Sequence, residues 1–147
     1  MAAEAAKASF EIIKASLSEK GDKTQKGSIV LATVEGDIHD IGKNIVKLLL
    51  ENYGFYVIDL GRDVSPNRVL DAVKNNEIKL VGLSALMTTT VPAMEKTVKL
   101  IKREVPDCKI AVGGAVLTAD YADRIGADKY CADAMQTVRY AEEIFLG

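Results

Sequence analysis

The sequence is poor in the residues that build metal clusters and has no excess of one charge. It contains one histidine, His39, and two cysteines, Cys108 and Cys131, in 147 residues. The cysteines are far apart and form no CxxC pair, so neither a zinc site nor a redox motif is indicated, and we expect reduced, mostly buried thiols. A net charge of -2 without a basic stripe argues against nucleic acid as a partner.

Long apolar runs are also missing. The apolar runs last only a few residues, far short of the roughly 20 that cross a bilayer. The N-terminal stretch MAAEAAKASFEIIKASLSEKG lacks the apolar region of a signal peptide. We therefore expect a cytoplasmic protein with no membrane partner. The length and the 48% hydrophobic content suit one domain with its own core.

The pattern of apolar residues changes at Gly27. Residues 2–18 carry apolar side chains at helical spacing and precede a polar stretch, so we predict an N-terminal helix and linker over residues 1–26. From 27 to 147, short β-branched runs alternate with longer amphipathic segments. The predicted strands are 28–34, 55–61, 79–86, 109–114 and 128–131, and the predicted helices are 41–53, 66–76, 91–104, 118–125 and 134–146.

This alternation predicts an α/β fold. Five strand–helix units in strict order indicate a Rossmann-like (flavodoxin-like) doubly wound sheet of five parallel strands, with helices on both faces and an N-terminal helix before it. Pro66 and Pro92 fall where a first helical turn would begin, a position that tolerates proline. Ligands bind such sheets at the carboxyl ends of the strands. We therefore look for a site in the loops after the strands, and the first of these contains His39.

The first loop, VEGDIHDIGKN, can be compared with several known kinds of site. The spacing of Gly36 and Gly42 fits neither a P-loop nor a dinucleotide-binding GxGxxG turn, and the third strand ends without the aspartate of a phospho-acceptor receiver domain. A zinc or iron site would need ligands beyond His39, and a carboxylate-bound Mg²⁺ would leave the histidine unexplained. Two alternatives stay open: acid–base catalysis by His39 oriented by Asp37, and a surface loop in which Asp37 or Asp40 caps the next helix.

Three short motifs together resemble the cobalamin-binding domain of corrinoid proteins. They stand at the predicted ends of the first, third and fourth strands, and they are Asp37-x-His39-x-x-Gly42, Ser84-x-Leu86 and Gly113-Gly114. The resemblance covers residues 27 to 147 of the sequence. It implies cobalamin bound with its benzimidazole arm detached from cobalt and a protein histidine in the lower axial position, the base-off/His-on state.

The resemblance implies that a residue of the first loop coordinates cobalt. His39 would be the lower axial ligand, and Asp37 would hydrogen-bond the other ring nitrogen, fix its tautomer and raise its basicity. Asp40 would be a residue of the helix start without a part in the chemistry. Gly42 would permit close approach of the arm where the loop meets its helix.

The later loops would form a slot for the arm. Ser84 would contact the benzimidazole, while Thr88 and Thr90 would bond the corrin edge or the surroundings of His39, unless they cap the following helix. The segment YCADAM would close over the nucleotide base, unless Asp133 caps the last helix. The implied cofactor contacts are Asp37, Ile38, His39, Asp40, Ile41, Gly42, Ser84, Leu86, Thr88, Thr90, Gly113, Gly114, Ala115, Tyr130 and Ala132.

The residues around the motifs resemble the methyltransferase branch, which includes methionine synthase and the small corrinoid proteins of methylamine and methanol metabolism. This implies a chain that carries a methyl group on cobalt between donor-side and acceptor-side methyltransferase partners and is not a complete enzyme alone. The small subunit of an adenosylcobalamin-dependent mutase, or a cobalamin sensor or carrier, remains an alternative. In this branch a helical bundle usually precedes the domain, and residues 1–26 match at most its last helix and linker.

Overall fold

A computed structural model of the chain describes residues 26–146. The elements in chain order are β1 (Ser28–Thr33), α1 (Ile41–Asn52), β2 (Tyr56–Asp59), α2 (Pro66–Asn76), β3 (Leu80–Ser84), α3 (Val91–Glu104), β4 (Lys109–Gly113), α4 (Ala119–Arg124), β5 (Lys129–Tyr130) and α5 (Ala134–Leu146), with a short 3₁₀ turn at Thr88–Thr90. All the strands and helices predicted after residue 27 are present. The predicted N-terminal helix and linker, residues 1–26, lie outside the described residues apart from Lys26.

The five strands form one parallel sheet in the order β2-β1-β3-β4-β5. In the register, Val30 lies opposite Ile58 on one side and Val81 on the other, and Val81 lies opposite Ile110. The direction of winding reverses between β1 and β3, which opens a crevice at their carboxyl ends. The predicted doubly wound, flavodoxin-like architecture is therefore confirmed.

Different helices cover the two faces of the sheet. Helices α2, α3 and α4 pack on one face, with Met94 among the buried side chains, and helices α1 and α5 pack on the other, with Leu50 and Val138 buried. Successive strand residues alternate between the faces; Val30 belongs to the first cluster and Leu31 to the second. Each fully buried aliphatic side chain contributes about 1.5–3 kcal/mol through the hydrophobic effect.

Local sequence signals account for the start of α2 and α3. Ser65 is the N-cap of α2, where its hydroxyl accepts a hydrogen bond from the Arg68 N–H at 3.3 Å, and Pro66 follows as the first helical residue. Pro92 lies in the first turn of α3. Both prolines therefore occupy the positions that the sequence predicts, where a missing N–H costs no helical hydrogen bond.

The two cysteines are free and buried on opposite faces of the sheet. Cys108 packs in the cluster under α2, α3 and α4, and Cys131 packs in the cluster under α1 and α5. Burial raises the pKa of both thiols, that of Cys108 to about 11. This confirms the prediction of buried thiols and disfavours the reactive thiolate form. None of the helices in residues 26–146 is long and apolar enough to cross a membrane.

Candidate functional site

A cavity of about 610 Å³ opens at the carboxyl ends of β1, β3 and β4, between the sheet and helices α1 and α5. It exists because the strand residues on this face become small toward that edge. Along β3, Leu80 packs in the core, whereas Gly82 and Ser84 line the cavity, and β4 contributes Ala111 and Gly113. A volume of this size is typical of a site for an organic ligand, since such pockets hold about 300–1,000 Å³.

Most of the predicted contact residues meet at this cavity. Those in its lining are Ile38, His39, Asp40, Ile41, Gly42, Ser84, Leu86, Gly113, Gly114, Ala115, Tyr130 and Ala132. Asp37 is fully buried beside the His39 ring, while Thr88 and Thr90 lie outside the lining. The structure therefore brings together residues from all three motifs.

His39 and Asp37 form a hydrogen-bonded pair. The Nδ1 atom of His39 lies 2.8 Å from Asp37 Oδ1, and the His39 side chain is 46% exposed whereas that of Asp37 is 0% exposed. An ionised carboxylate can only accept hydrogen bonds. The neutral imidazole therefore carries its hydrogen on Nδ1, which leaves Nε2 with a free lone pair.

The loop after β3 fixes the Asp37 carboxylate. Oδ1 also accepts from the His39 backbone N–H at 3.0 Å, and Oδ2 accepts from the N–H groups of Leu86 at 2.7 Å and Met87 at 3.2 Å and from the Thr90 hydroxyl at 2.8 Å. Burial alone would raise the pKa of this carboxyl. The hydrogen bonds from Leu86, His39 and Thr90 outweigh burial and hold the pKa well below its usual range, so Asp37 is an anion at neutral pH.

The capping alternatives for Asp37, Asp40 and Thr90 are wrong. Asp40 is at the N-cap position of α1 but makes no side-chain capping bond, and Asp37 is committed to the contacts above. Thr90 is at the N-cap position of α3, again without a capping bond, and its hydroxyl instead reaches the surroundings of His39 through Asp37. Thr88 is exposed. Asp133 does cap, because its Oδ1 accepts from the Gln136 N–H at 2.9 Å at the start of α5.

Thr33 is a site residue that the sequence analysis missed. It is fully buried at the last position of β1, and its Oγ1 lies 3.0 Å from Ser84 Oγ and 3.4 Å from the His39 carbonyl oxygen. The register places Thr33 directly opposite Ser84. A hydroxyl residue at the end of each of two strands was the available signal, but their adjacency depends on the sheet order.

Lys43 was also missed. It is 3% exposed and lines the cavity, and its Nζ lies 2.6 Å from Asp59 Oδ1 and 3.1 Å from Asn44 Oδ1. Burial opposes ionisation of Asp59, but the hydrogen bond from Lys43 and the nearby positive charges lower its pKa. The Lys43–Asp59 ion pair thus ties a residue of the cavity lining to the end of β2.

The motif glycines have different structural reasons. A Cβ at Gly42 would have no heavy atom within 4 Å, so the fold does not require glycine there. Gly114 has a φ of +140° and a Cβ there would overlap the carbonyl of Ala85, while a Cβ at Gly113 would lie 3.2 Å from the Cys131 carbonyl oxygen. The packing of the chain requires glycine at position 114 whether or not a ligand binds. At position 42 the packing does not require glycine, so the need for ligand space can explain it.

No group of three or more His, Cys, Asp or Glu side chains in residues 26–146 is placed to hold a metal ion. The alternatives of zinc, iron or Mg²⁺ held by protein side chains alone therefore find no support in this part of the chain. A single accessible imidazole suits a metal whose other positions are filled by a non-protein ligand.

Sequence matches to known proteins cover nearly all of the described chain. Residues 27–144 match the family described as the B12 binding domain. Dimethylamine corrinoid protein 1 of Methanosarcina acetivorans is 42% identical over 146 residues, which are 98% of this chain and 68% of that protein.

The solved structures that resemble this chain in both fold and sequence include two with at least 35% identity. A cobalamin-binding protein of Desulfitobacterium hafniense matches with a TM-score of 0.80 and 38% identity, over 91% of this chain and 66% of that one. A chain of the methanol:cobalamin methyltransferase complex of Methanosarcina barkeri matches with a TM-score of 0.81 and 35% identity, over 88% of this chain and 51% of that one. The chain thus spans only part of the length of these proteins.

Proposed function

The chain belongs to the B12-binding domain family, and from that premise we propose that it binds cobalamin and carries a methyl group on cobalt between partner methyltransferases. The observation that carries the proposal is the geometry of His39. Its imidazole is accessible at a cavity of ligand size, and its Nδ1 is bonded at 2.8 Å to a carboxylate that is fully buried. This arrangement offers one nitrogen to a ligand and keeps the other occupied.

The residues at the site fit such a cofactor. The corrin ring supplies four of the ligands around cobalt, so the protein needs to add only one. His39 would be this lower axial ligand through Nε2, with the benzimidazole arm detached in the base-off/His-on state. Asp37 would orient the ring and raise its basicity, as carboxylates behind metal-bound histidines do.

The cavity would receive the detached nucleotide arm. Gly82 and Ala111 are small apolar residues in its lining, and Ser84 offers a hydroxyl at the end of β3. Gly42 leaves open space at the start of α1, where the arm could approach the backbone. Leu86 is 43% exposed at the cavity and would wall the slot. The remaining proposed contacts share the lining and are Ile38, Asp40, Ile41, Gly113, Gly114, Ala115, Tyr130 and Ala132.

His39, Asp37 and Thr90 are linked by hydrogen bonds. When bound, the corrinoid would supply the methyl-carrying chemistry, and His39 would hold it at this loop. Asp37 Oδ1, 2.8 Å from Nδ1 of His39, would hold the ring in the orientation that turns Nε2 to the cofactor. Thr90 and the Leu86 N–H keep Asp37 ionised by hydrogen bonding to Oδ2. The residues His39, Asp37 and Thr90 would therefore act as one unit.

Methyl transfer by this route requires other proteins, so we propose that the chain is not a complete enzyme alone. The matched structure from Methanosarcina barkeri is a methyltransferase complex, and the matched relative is a dimethylamine corrinoid protein. By analogy, the donor-side partner would be a methyltransferase acting on a methylamine or methanol, and the acceptor-side partner a second methyltransferase. The cytoplasmic location stays a prediction.

Reconstitution with two cofactors tests the proposal. The chain loaded with reduced cobalamin should accept a methyl group from a methylamine or methanol when the matching methyltransferase is present, and the demethylated amine or water is released. The chain loaded with adenosylcobalamin should support no carbon-skeleton rearrangement with a mutase large subunit. The opposite pair of results would favour the mutase alternative, and a change of oligomeric state on cobalamin binding with neither activity would favour a sensor. His39→Ala should keep part of the cobalamin affinity, because the arm in the cavity supplies much of the contact area.

A further inference from the structure

Asp63, in the loop between β2 and α2, has a left-handed backbone conformation. Its φ is +54°, and among the described non-glycine residues only Glu77, at the C-cap of α2, shares a positive φ. Left-handed residues are common at helix C-caps, but Asp63 precedes Ser65, the N-cap of α2, so no helix end accounts for it. Aspartate tolerates this region better than most residues, although at a conformational cost. Such a cost beside a candidate site suggests a functional role.

Asp63 contacts the first loop at two points. Its backbone N–H donates to the Asp37 carbonyl oxygen at 2.9 Å, and its Oδ1 accepts from the Gly36 N–H at 2.8 Å. The next residue, Val64, donates its N–H to the Thr33 carbonyl oxygen at 3.0 Å. The loop after β2 therefore holds the backbone on both sides of the Gly36–Asp37 pair.

The backbone position of Asp37 decides how its short side chain meets its partners. Oδ1 must stay 2.8 Å from His39 Nδ1 while Oδ2 stays 2.7 Å from the Leu86 nitrogen. A hydrogen bond weakens steeply as its donor–hydrogen–acceptor angle departs from linearity. A shift of the Asp37 backbone would move both carboxylate oxygens together. Loosening this backbone would therefore weaken the bond that selects the tautomer of His39.

We propose that Asp63 is a positioning residue for His39 that acts through Asp37. By holding the backbone of Asp37, it keeps the carboxylate where it retains the imidazole hydrogen on Nδ1 and leaves Nε2 free. The last step, in which Nε2 binds cobalt, rests on the function proposed above. The tautomer itself is a property of the cofactor-free chain, and it can be measured independently.

The imidazole ¹⁵N signals of the cofactor-free chain provide the test, because His39 is the only histidine. At a pH where the ring is neutral, the wild-type chain should show the Nδ1–H form. Asp63→Ala removes the acceptor for Gly36 and disfavours the left-handed conformation, so the population should shift toward the Nε2–H form that free histidine prefers. The Gly36 amide should exchange about tenfold faster, as expected for one lost hydrogen bond.

Two further substitutions separate the roles of the side chain and the backbone. Asp63→Asn keeps an acceptor oxygen and tolerates a positive φ, so it should restore the wild-type tautomer. Asp63→Gly keeps the backbone donor but lacks the acceptor, so it should lie between Asp63→Asn and Asp63→Ala. Glu77→Ala is the matched control, since it strains the other left-handed residue at the far end of α2 and should leave the His39 signals unchanged.

An unchanged tautomer in a folded Asp63→Ala chain would overturn the proposal, and so would an equal shift in Glu77→Ala. If Asp63→Ala does not fold, the comparison of Asp63→Gly with Asp63→Asn decides, and identical tautomers in these two would overturn it. Loading with hydroxocobalamin then separates the two proposals. If cobalt binds His39 equally in all Asp63 variants, the positioning role of Asp63 is contradicted and the proposed function is not. If the tautomer shifts but no cobalt–histidine bond forms in any chain, the proposed function is contradicted and the positioning role is not.

Discussion

The two faces of the sheet are filled to different degrees. Under α2, α3 and α4, one continuous cluster contains about twice as many buried apolar residues as the cluster under α1 and α5. On the second face, close packing ends near Leu31 and Ala111, which line the cavity. Both faces belong to the same strands, so the difference comes from residue size at the strand ends and from two covering helices in place of three. The first face stabilises the fold, and the second leaves room for a ligand.

The exposed side chains follow the same division. The exposed large hydrophobic residues include Ile41 at 77%, Ile45 and Leu48 on α1, and Leu86 and Met87 after β3. None of those identified in residues 26–146 lies on α2, α3 or α4. Contiguous apolar surface beside a cavity is typical of a binding site. The comparison therefore predicts that substitutions on the packed face change stability and that substitutions on the open face change ligand binding.

Met94→Ala on the packed face should have the largest effect on stability. Met94 is fully buried in α3, and truncation of such a side chain costs about 2–5 kcal/mol of unfolding free energy because it leaves a cavity. Urea denaturation would measure this loss. The affinity of the folded chain for hydroxocobalamin should stay within a factor of about two, and a parallel loss of affinity would contradict the separation of the faces.

Asp37→Asn should destabilise the chain by about 2–3 kcal/mol, because an amide nitrogen would meet buried donors in place of a carboxylate oxygen. Asp40→Asn is the matched control and should change the unfolding free energy by no more than about 0.5 kcal/mol. Folding lowers the pKa of Asp37 from 3.8. Its stabilising contribution is therefore complete above that pH and is lost as the pH falls through the lower folded-state value.

Urea denaturation across pH checks this sign. The difference in unfolding free energy between the wild-type chain and Asp37→Asn should be constant at neutral pH. It should shrink in acid, below the unfolded-state pKa of 3.8. A difference that grows on acidification would show that Asp37 is not stabilised as an anion. Equal effects of Asp37→Asn and Asp40→Asn would contradict the distinct roles of the two aspartates.

Gly42→Ala should raise the unfolding free energy of the cofactor-free chain, whereas most substitutions lower it. Glycine in a helix costs up to about 1 kcal/mol relative to alanine, and a Cβ at Gly42 meets nothing, so the cofactor-free chain should become more stable by up to that amount. Hydroxocobalamin binding, measured by titration, should weaken. Gly114→Ala is the contrasting variant and should lose stability, because its Cβ would overlap the Ala85 carbonyl. Unchanged cobalamin affinity in Gly42→Ala would contradict the placement of the arm.

The smallest expected effect is a change in the rate of thiol labelling when cobalamin binds. Cys108 and Cys131 lie on opposite faces, so one chain reports on both. Both cysteines should react slowly, because burial raises the pKa of each thiol. Only Cys131 lines the cavity. Cobalamin should therefore slow labelling of Cys131 a few-fold and leave Cys108 unchanged, as mass spectrometry after timed quenching would report. Equal protection of both would indicate global stabilisation of the fold rather than occupation of the cavity.

Local signals in the sequence were sufficient for the fold. Strand and helix periodicity predicted every element after residue 27, because each element obeys short-range rules such as the Ser65 cap followed by Pro66. The same signals were misleading before α1, where an aspartate usually caps a helix. Asp37 accepts instead from Leu86 and Thr90, which are far along the chain, and this alternative depends on the sheet order.

The motifs predicted that residues of the first loop and of the later loops meet at one cavity, and they do. The motifs did not predict the contacts that support these residues. Thr33 reaches Ser84 only through the β1–β3 register, and Lys43 reaches Asp59 only because α1 packs beside β2. Asp63 likewise meets Asp37 between two loops. Pairings of this kind follow from tertiary geometry, so a sequence without its fold gives no means of selecting them from the other polar residues.

The most direct test of the central claim uses the single histidine as a specific label. The chain is produced with ¹⁵N-histidine, loaded with unlabelled cobalamin and reduced to the cobalt(II) state, and its paramagnetic resonance spectrum is compared with that of the unlabelled chain. If His39 is the lower axial ligand, the nitrogen splitting should change from triplets to doublets. Triplets that persist in the labelled chain would show that the benzimidazole of the cofactor still binds cobalt, which would contradict the account.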